Sequence, residues 1–395
     1  MLSCGRIFLF IMNKFILKPK FSGRLVLLFV LSTLFLAGCQ PVEKVASADS
    51  KVSARVVKVL EEKEITVEGD KVASQLLDVK IEDGLYKNKK VQAQNNNTYV
   101  AGKRNYKIGD EVFLVAEKDG QNAINYNVYD YNRLSPLFWL FLFFIVVTVV
   151  TGRIRGVTSF IGMACSFLII FYFVLPQILA GANSFLIAII AALAIVPLTF
   201  YLSHGLNRKT TSAIIGTMLT LLIVGVVATI SVDASHLSGS ASEEVNALIL
   251  EKPDVINVKD LLLAGIIISL LGILNDITIS QAAIVFKLKE VSPELKFGGL
   301  FSKAMDVGRD HIASVVNTLV LVYTGAALPL LLLFLNNPAP FSEILNEEFM
   351  AEEILRTLVA SIGIVIAVPL TTLITVFIVS RWKGSAKMRH LEHQH

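Results

Sequence analysis

Two long apolar stretches of this chain carry polar and ionisable groups at helical spacing. In the first, Asn275 and Asp276 lie between Gly272 and Ser280, and steps of four residues put Gly272, Asp276 and Ser280 on one helix face. In the second, Asp310, Ser314, Asn317 and Thr324 recur at i, i+4, i+7 and i+14, a polar stripe with Arg309 and His311 at its start. A carboxylate within an apolar span costs roughly 2.5–3.5 kcal/mol unless it faces a bundle interior or a wet cavity, so by default it marks a solute, ion or proton pathway. The chemistry on offer is coordination of a small polar solute or cation, with a carboxylate or His311 carrying a proton.

Plainer readings stand beside these. Asp276 could be a solvated helix end at the membrane interface. Arg309 could pair with Asp276 or Asp310, or simply be a cation retained near a span end. A lone histidine at a membrane edge, such as His311, is more often a hydrogen-bonding helix start than a relay.

Other chemistries lack their residues. No HExxH, GxSxG or GxxxxGK pattern occurs, and no serine–histidine dyad lies at depth. Cys4, Cys39 and Cys165 are scattered, without CxxC spacing or histidine neighbours. The expectation is a protein that is not an enzyme and uses no metal or cofactor. A formal net charge of +4 gives no footprint for nucleic acid.

The elements that must position these groups are membrane helices. The chain has 395 residues, 54% hydrophobic and 17% charged, and its mean hydropathy of +0.65 lies outside the range of soluble domains. Apolar runs at 134–150, 154–175, 178–202, 211–231, 261–280, 312–335 and 354–380 predict about seven transmembrane helices in an all-α polytopic bundle over 134–380. Pro197, Gly325, Pro329, Gly363 and Pro369 interrupt several of them. Basic residues cluster in alternate loops and in the tail 381–395, whereas the intervening loops are acidic. By the positive-inside rule the C-terminus is cytoplasmic and the segment before the first span is extracytoplasmic, in a bacterial inner membrane.

Residues 1–39 read as a signal peptide or a signal anchor: a basic stretch, a short apolar run, then Leu36-Ala37-Gly38-Cys39. That ending resembles a lipobox, in which Cys39 would be lipidated; the alternative is an uncleaved anchor with a chance cysteine. Met12 is a second candidate start. From 40 to 133 the sequence alternates in short β-branched runs at 52–60, 64–68, 76–81, 90–94, 111–117 and 123–128, separated by turn signals such as Gly109-Asp110. This predicts a small extracytoplasmic β-barrel or sandwich of OB-like type.

The stretches Leu271-Gly272-Ile273-Leu274-Asn275-Asp276-Ile277-Thr278-Ile279-Ser280-Gln281-Ala282-Ala283 and Gly308-Arg309-Asp310-His311-Ile312-Ala313-Ser314-Val315-Val316-Asn317-Thr318-Leu319 resemble the YibE/F family of bacterial membrane proteins. The resemblance extends from about residue 50 to the end. It implies a multi-pass protein with a short extracytoplasmic domain, and brings no activity with it. Two functions are expected. One is a permease for a small solute or ion, in which Asn275, Asp276, Ser280, Arg309, Asp310, His311, Ser314, Asn317 and Thr324 form a polar site. The other is a scaffold or sensor in the lipid bilayer, with a protein partner at the outer β domain or at the cytoplasmic loop 281–311. The sequence leaves the oligomeric state open.

Overall fold

The computed structural model describes residues 51–67, 70–83, 86–95, 105–118, 124–252, 255–335 and 339–381. The expected signal segment with Cys39 and the tail after Arg381 lie outside the described residues. The chain divides into two compact units, with the boundary in the sequence between Thr151 and Gly152.

The first unit holds a closed five-stranded barrel: β1 (Val52–Val67), β2 (Asp70–Ile81), β3 (Lys90–Asn95), β4 (Glu111–Lys118) and β5 (Ile124–Tyr131), in the order β1-β2-β3-β5-β4. Antiparallel β1 and β4 close it, pairing Val52 with Leu114, and β3 runs parallel to β5. Alternation sets the inside: Leu77, Val79 and Ile81 of β2 are buried with Ala54 and Val56 of β1 and Val112 and Leu114 of β4. Gln75 joins them as a polar pin, accepting from Tyr106 N at 2.8 Å and donating to Tyr106 O at 3.3 Å. The separate strands expected at 52–60 and 64–68 form one strand. Register shifts between Val56 and Lys58 and between Val59 and Glu61 bend β1 enough to serve both neighbours, as bulges do in small barrels.

The helices are α1 (Leu134–Ile169), a π-helical turn (Ile170–Val174), α2 (Leu175–Leu179), α3 (Ser184–His204), α4 (Arg208–Ala234), α5 (Glu243–Glu251), α6 (Val258–Val291), α7 (Phe297–Ala326), α8 (Leu328–Leu335), α9 (Phe341–Asn346) and α10 (Glu348–Ser380). Among the described residues five helical stretches are long and apolar enough to cross a membrane: Leu134–Leu179, α3, α4, α6 and α10. The expected spans 134–150 and 154–175 share the first of these, which is broken at Arg153 by a left-handed φ of 50°. The expected span 312–335 is divided between α7 and α8 around Ala327, and the polar stripe of α7 dilutes its apolar sequence.

Within the second unit α6 is central and packs on α3, α4, α7 and α10. Ile266, Ile267, Leu270, Leu274 and Ile277 are fully buried in the core around it. Small residues bring the helices together. A Cβ built on Gly363 of α10 would lie 3.1 Å from Val224 and 3.2 Å from Leu270. Hydroxyls and one amide tie the same layer: Thr217 and Thr278 share a hydrogen bond of 2.7 Å, and Gln281 donates to Ala304 O at 3.0 Å and to Thr372 Oγ1 at 2.7 Å.

Candidate functional site

One side of α6 is not covered by the described residues of its own unit. Gly265, Ser269, Gly272, Asp276 and Ser280 recur every three or four residues and are all exposed, while the positions between them are buried or half-buried. No described atom approaches within 4 Å of a Cβ built on Gly265 or Gly272. The central helix of an apolar bundle therefore presents a small, polar stripe to open space, a face that hydrocarbon does not solvate.

Near Asp276 this stripe becomes the wall of a cavity of about 460 Å³. Asn275 and Asp276 line it from α6, Arg155, Ser159, Gly162 and Ser166 from α1, and Thr199, Ser203 and His204 from α3. Helices α1 and α3 reach each other through Gly162, where a Cβ would stand 3.7 Å from Ser203 Oγ. His204 is the last residue of α3, and Gly205 turns the chain away with φ 76°. Asn207 then holds the turn: its amide donates to His204 O at 2.8 Å and its Oδ1 accepts from Thr210 N at 2.9 Å, capping α4. The π-helical turn, which precedes Pro176, contributes Ile170 to the lining. Such turns recur at functional sites because they re-aim side chains.

The electrostatics are mixed: the carboxylate of Asp276, the imidazole of His204 and the guanidinium of Arg155 all line this one space. Several hydroxyls already donate along their own helices, Ser166 to Gly162 O at 3.0 Å and Thr199 to Ile195 O at 2.9 Å, which leaves their lone pairs toward the cavity. Asn275 Oδ1 is buried without a hydrogen-bond partner among the described residues. Anionic, cationic and neutral hydrogen-bonding groups thus line one space of small-molecule size, since ligand sites run to ~300–1,000 Å³. Among the described residues no group of three or more His, Cys, Asp or Glu side chains could hold a metal ion.

The residues singled out in the sequence divide. Asn275 and Asp276 line the cavity, and Ser280 continues their exposed face one turn on. None of the α7 residues lines it: Arg309, Asp310, Ser314, Asn317 and Thr324 are exposed and His311 is half-buried. The expected convergence of Asp276 with the Asp310 stripe in one site is therefore not seen at this cavity. In its place stand Arg155, Ser159, Ser166, Thr199, Ser203 and His204. Their signal was present as small polar residues three or four apart, Ser159, Gly162 and Ser166 in one span and Thr199 and Ser203 in the other.

A family model described as YibE/F-like protein matches residues 140–381, well over half of the chain and including every residue of this cavity. No curated protein and no solved structure matches.

Proposed function

This chain belongs to the YibE/F-like family and is a membrane protein with apolar helices; from that premise we propose that it is a permease for a small hydrophilic solute or ion. The observation that carries the proposal is the cavity at Asp276: a carboxylate, an arginine, a histidine and several hydroxyls around about 460 Å³ within otherwise apolar helices. Asp276 would bind the cationic or donor group of the solute, and Arg155 its anionic or acceptor group. His204 and Asp276, which line the same cavity, would exchange the proton that couples movement to a gradient. The small stripe from Ser280 to Gly265 gives the solute a polar path along α6.

The topology behind this reading has seven crossings. The 46 residues of Leu134–Leu179, broken at Arg153, amount to about 69 Å of helix in total at ~1.5 Å per residue, more than twice the ~30 Å hydrocarbon thickness. That length supports two crossings divided at Arg153, and α7 with α8 would supply another. The barrel would then be extracytoplasmic and the C-terminus cytoplasmic, in a bacterial inner membrane, with the Asp276 cavity opening to the cytoplasm beside Arg155 and Lys209.

The test is charge movement in proteoliposomes on a solid support, challenged with concentration jumps of inorganic cations, ammonium, amino acids and protons. The full-length protein is expected to give a saturable current with one of these probes, and Asp276→Asn to lose it. An equal current from Asp276→Asn, or no current with any probe, overturns the proposal.

A second reading is favoured by the barrel, which is a closed unit with its own core. As a sensor or scaffold, the chain would use the barrel to bind a partner or ligand. Crosslinking in native membranes separates the two readings, because a sensor captures one stable partner that is lost when residues 51–131 are deleted.

A further inference from the structure

The cavity at Asp276 changes character along its length. On α1 its lining follows one helix face, from Arg155 through Ser159, Gly162 and Ser166 to Phe167 and Ile170. At ~1.5 Å per residue the charged start and the apolar end of that face lie roughly 22 Å apart. Helix α3 comes after a short turn and runs back past α1, and a Cβ built on Gly162 would lie 3.7 Å both from Ser203 Oγ and from Thr199 Cα. His204 therefore stands toward the Arg155 end. Hydroxyls of Ser166, Thr199 and Ser203 form the middle, and Met163, Phe167, Ile170 and Phe200 supply the apolar part.

Opposite charges share this space without cancelling each other. Among the described residues no hydrogen bond or ion pair joins the carboxylate of Asp276 to Arg155 or to His204. That arrangement discriminates between solutes. An inorganic cation at Asp276 meets the repulsion of Arg155, and an inorganic anion at Arg155 meets that of Asp276. An uncharged solute that displaces water from both groups leaves two charges without partners. A molecule that carries an ammonium and a carboxylate together satisfies both, and an apolar group on the same molecule covers the rest of the wall.

We infer that the solute bound beside Asp276 is a zwitterion, an α-amino acid with an apolar side chain. Its ammonium group donates to Asp276, its carboxylate accepts from Arg155, and its side chain lies along Met163, Phe167 and Ile170. The assignment rests on the reading of this cavity as a solute site and adds the class of solute.

Calorimetric titration of the purified full-length protein in detergent tests it, with leucine as the probe and three analogues that each lack one feature. Leucinamide has no carboxylate, isocaproate has no ammonium group, and glycine has no side chain. Leucine is expected to bind saturably, and each analogue at least roughly tenfold more weakly. Arg155→Gln should close the gap between leucine and leucinamide, and Asp276→Asn the gap between leucine and isocaproate. Both side chains are exposed, so neither change removes a core contact. A zwitterionic lipid headgroup carries the same pair of charges, and dihexanoyl phosphatidylethanolamine is the probe for it. The inference is overturned if leucine does not bind, if leucinamide or isocaproate binds as tightly as leucine to the wild-type chain, or if the short-chain lipid binds more tightly than leucine. A current driven by an inorganic cation in a protein that does not bind leucine would remove this assignment and leave the permease reading. Leucine binding with these preferences, but with no current for any probe, would remove the permease reading and leave the assignment.

Discussion

Gly308 of α7 and Val368 of α10 stand so close that a Cβ added to the glycine would lie 2.6 Å from Val368 Cγ1. The same position faces Gln281, whose amide atoms would be 3.1 and 3.2 Å away. Gly308 is therefore the point at which α7 is seated on both α6 and α10. Gly308→Ala is expected to lower stability by about 1–3 kcal/mol through overpacking. Thermal unfolding in detergent should show the loss, and Val368→Ala should recover part of it. An unchanged midpoint in Gly308→Ala would contradict the packing.

At the far end of the bundle Gly239 is fixed in two ways. Its φ is +83°, and a Cβ would stand 2.7 Å from Val258 O. Glu348, the first residue of α10, accepts from Ser238 N at 2.5 Å and from Gly239 N at 3.2 Å, holding the loop against the helix start. Gly239→Ala should cost ~1–3 kcal/mol from the backbone conformation alone. Glu348→Ala should cost about 1 kcal/mol, through the loss of these two hydrogen bonds to the loop. Denaturant titrations of both variants check the order, with the glycine change the larger.

In the barrel, Leu77 is fully buried between the Ala54–Val56 face of β1 and the Val112–Leu114 face of β4. Leu77→Ala is expected to destabilise the barrel by roughly 2–5 kcal/mol. Hydrogen exchange on the full-length protein should show faster exchange in β1, β2 and β4, while the amides of α6 stay protected. Equal loss of protection in α6 would mean that the two units do not unfold separately.

Much of the architecture is legible in the sequence, because bilayer crossing and strand alternation are local patterns. Apolar runs located α3, α4, α6 and α10, and the alternation of Leu77, Val79 and Ile81 located a barrel strand. What escaped was long-range. A six-strand reading of 40–133 missed that bulges let Val52–Val67 run unbroken, since a bulge depends on both neighbouring strands. Asp276 stands out through its apolar surroundings, yet its companions Arg155, Thr199 and His204 come from helices 70 or more residues earlier and look unremarkable in their own spans. The α7 stripe shows the limit of periodicity most plainly: spacing puts Asp310 and Asn317 on one face, but only packing shows that this face points away from the core.

The central claim is that the space beside Asp276 is a hydrated compartment within the helical unit. Ser203 lines it, whereas Val196, two turns earlier on α3, is fully buried. Thiol labelling of Ser203→Cys and Val196→Cys by a small, charged, membrane-impermeant reagent, in a background without Cys4, Cys39 and Cys165, measures this directly. The account predicts that Ser203→Cys reacts at least roughly tenfold faster than Val196→Cys, from the membrane face next to His204. Equal, negligible labelling at both positions would contradict it.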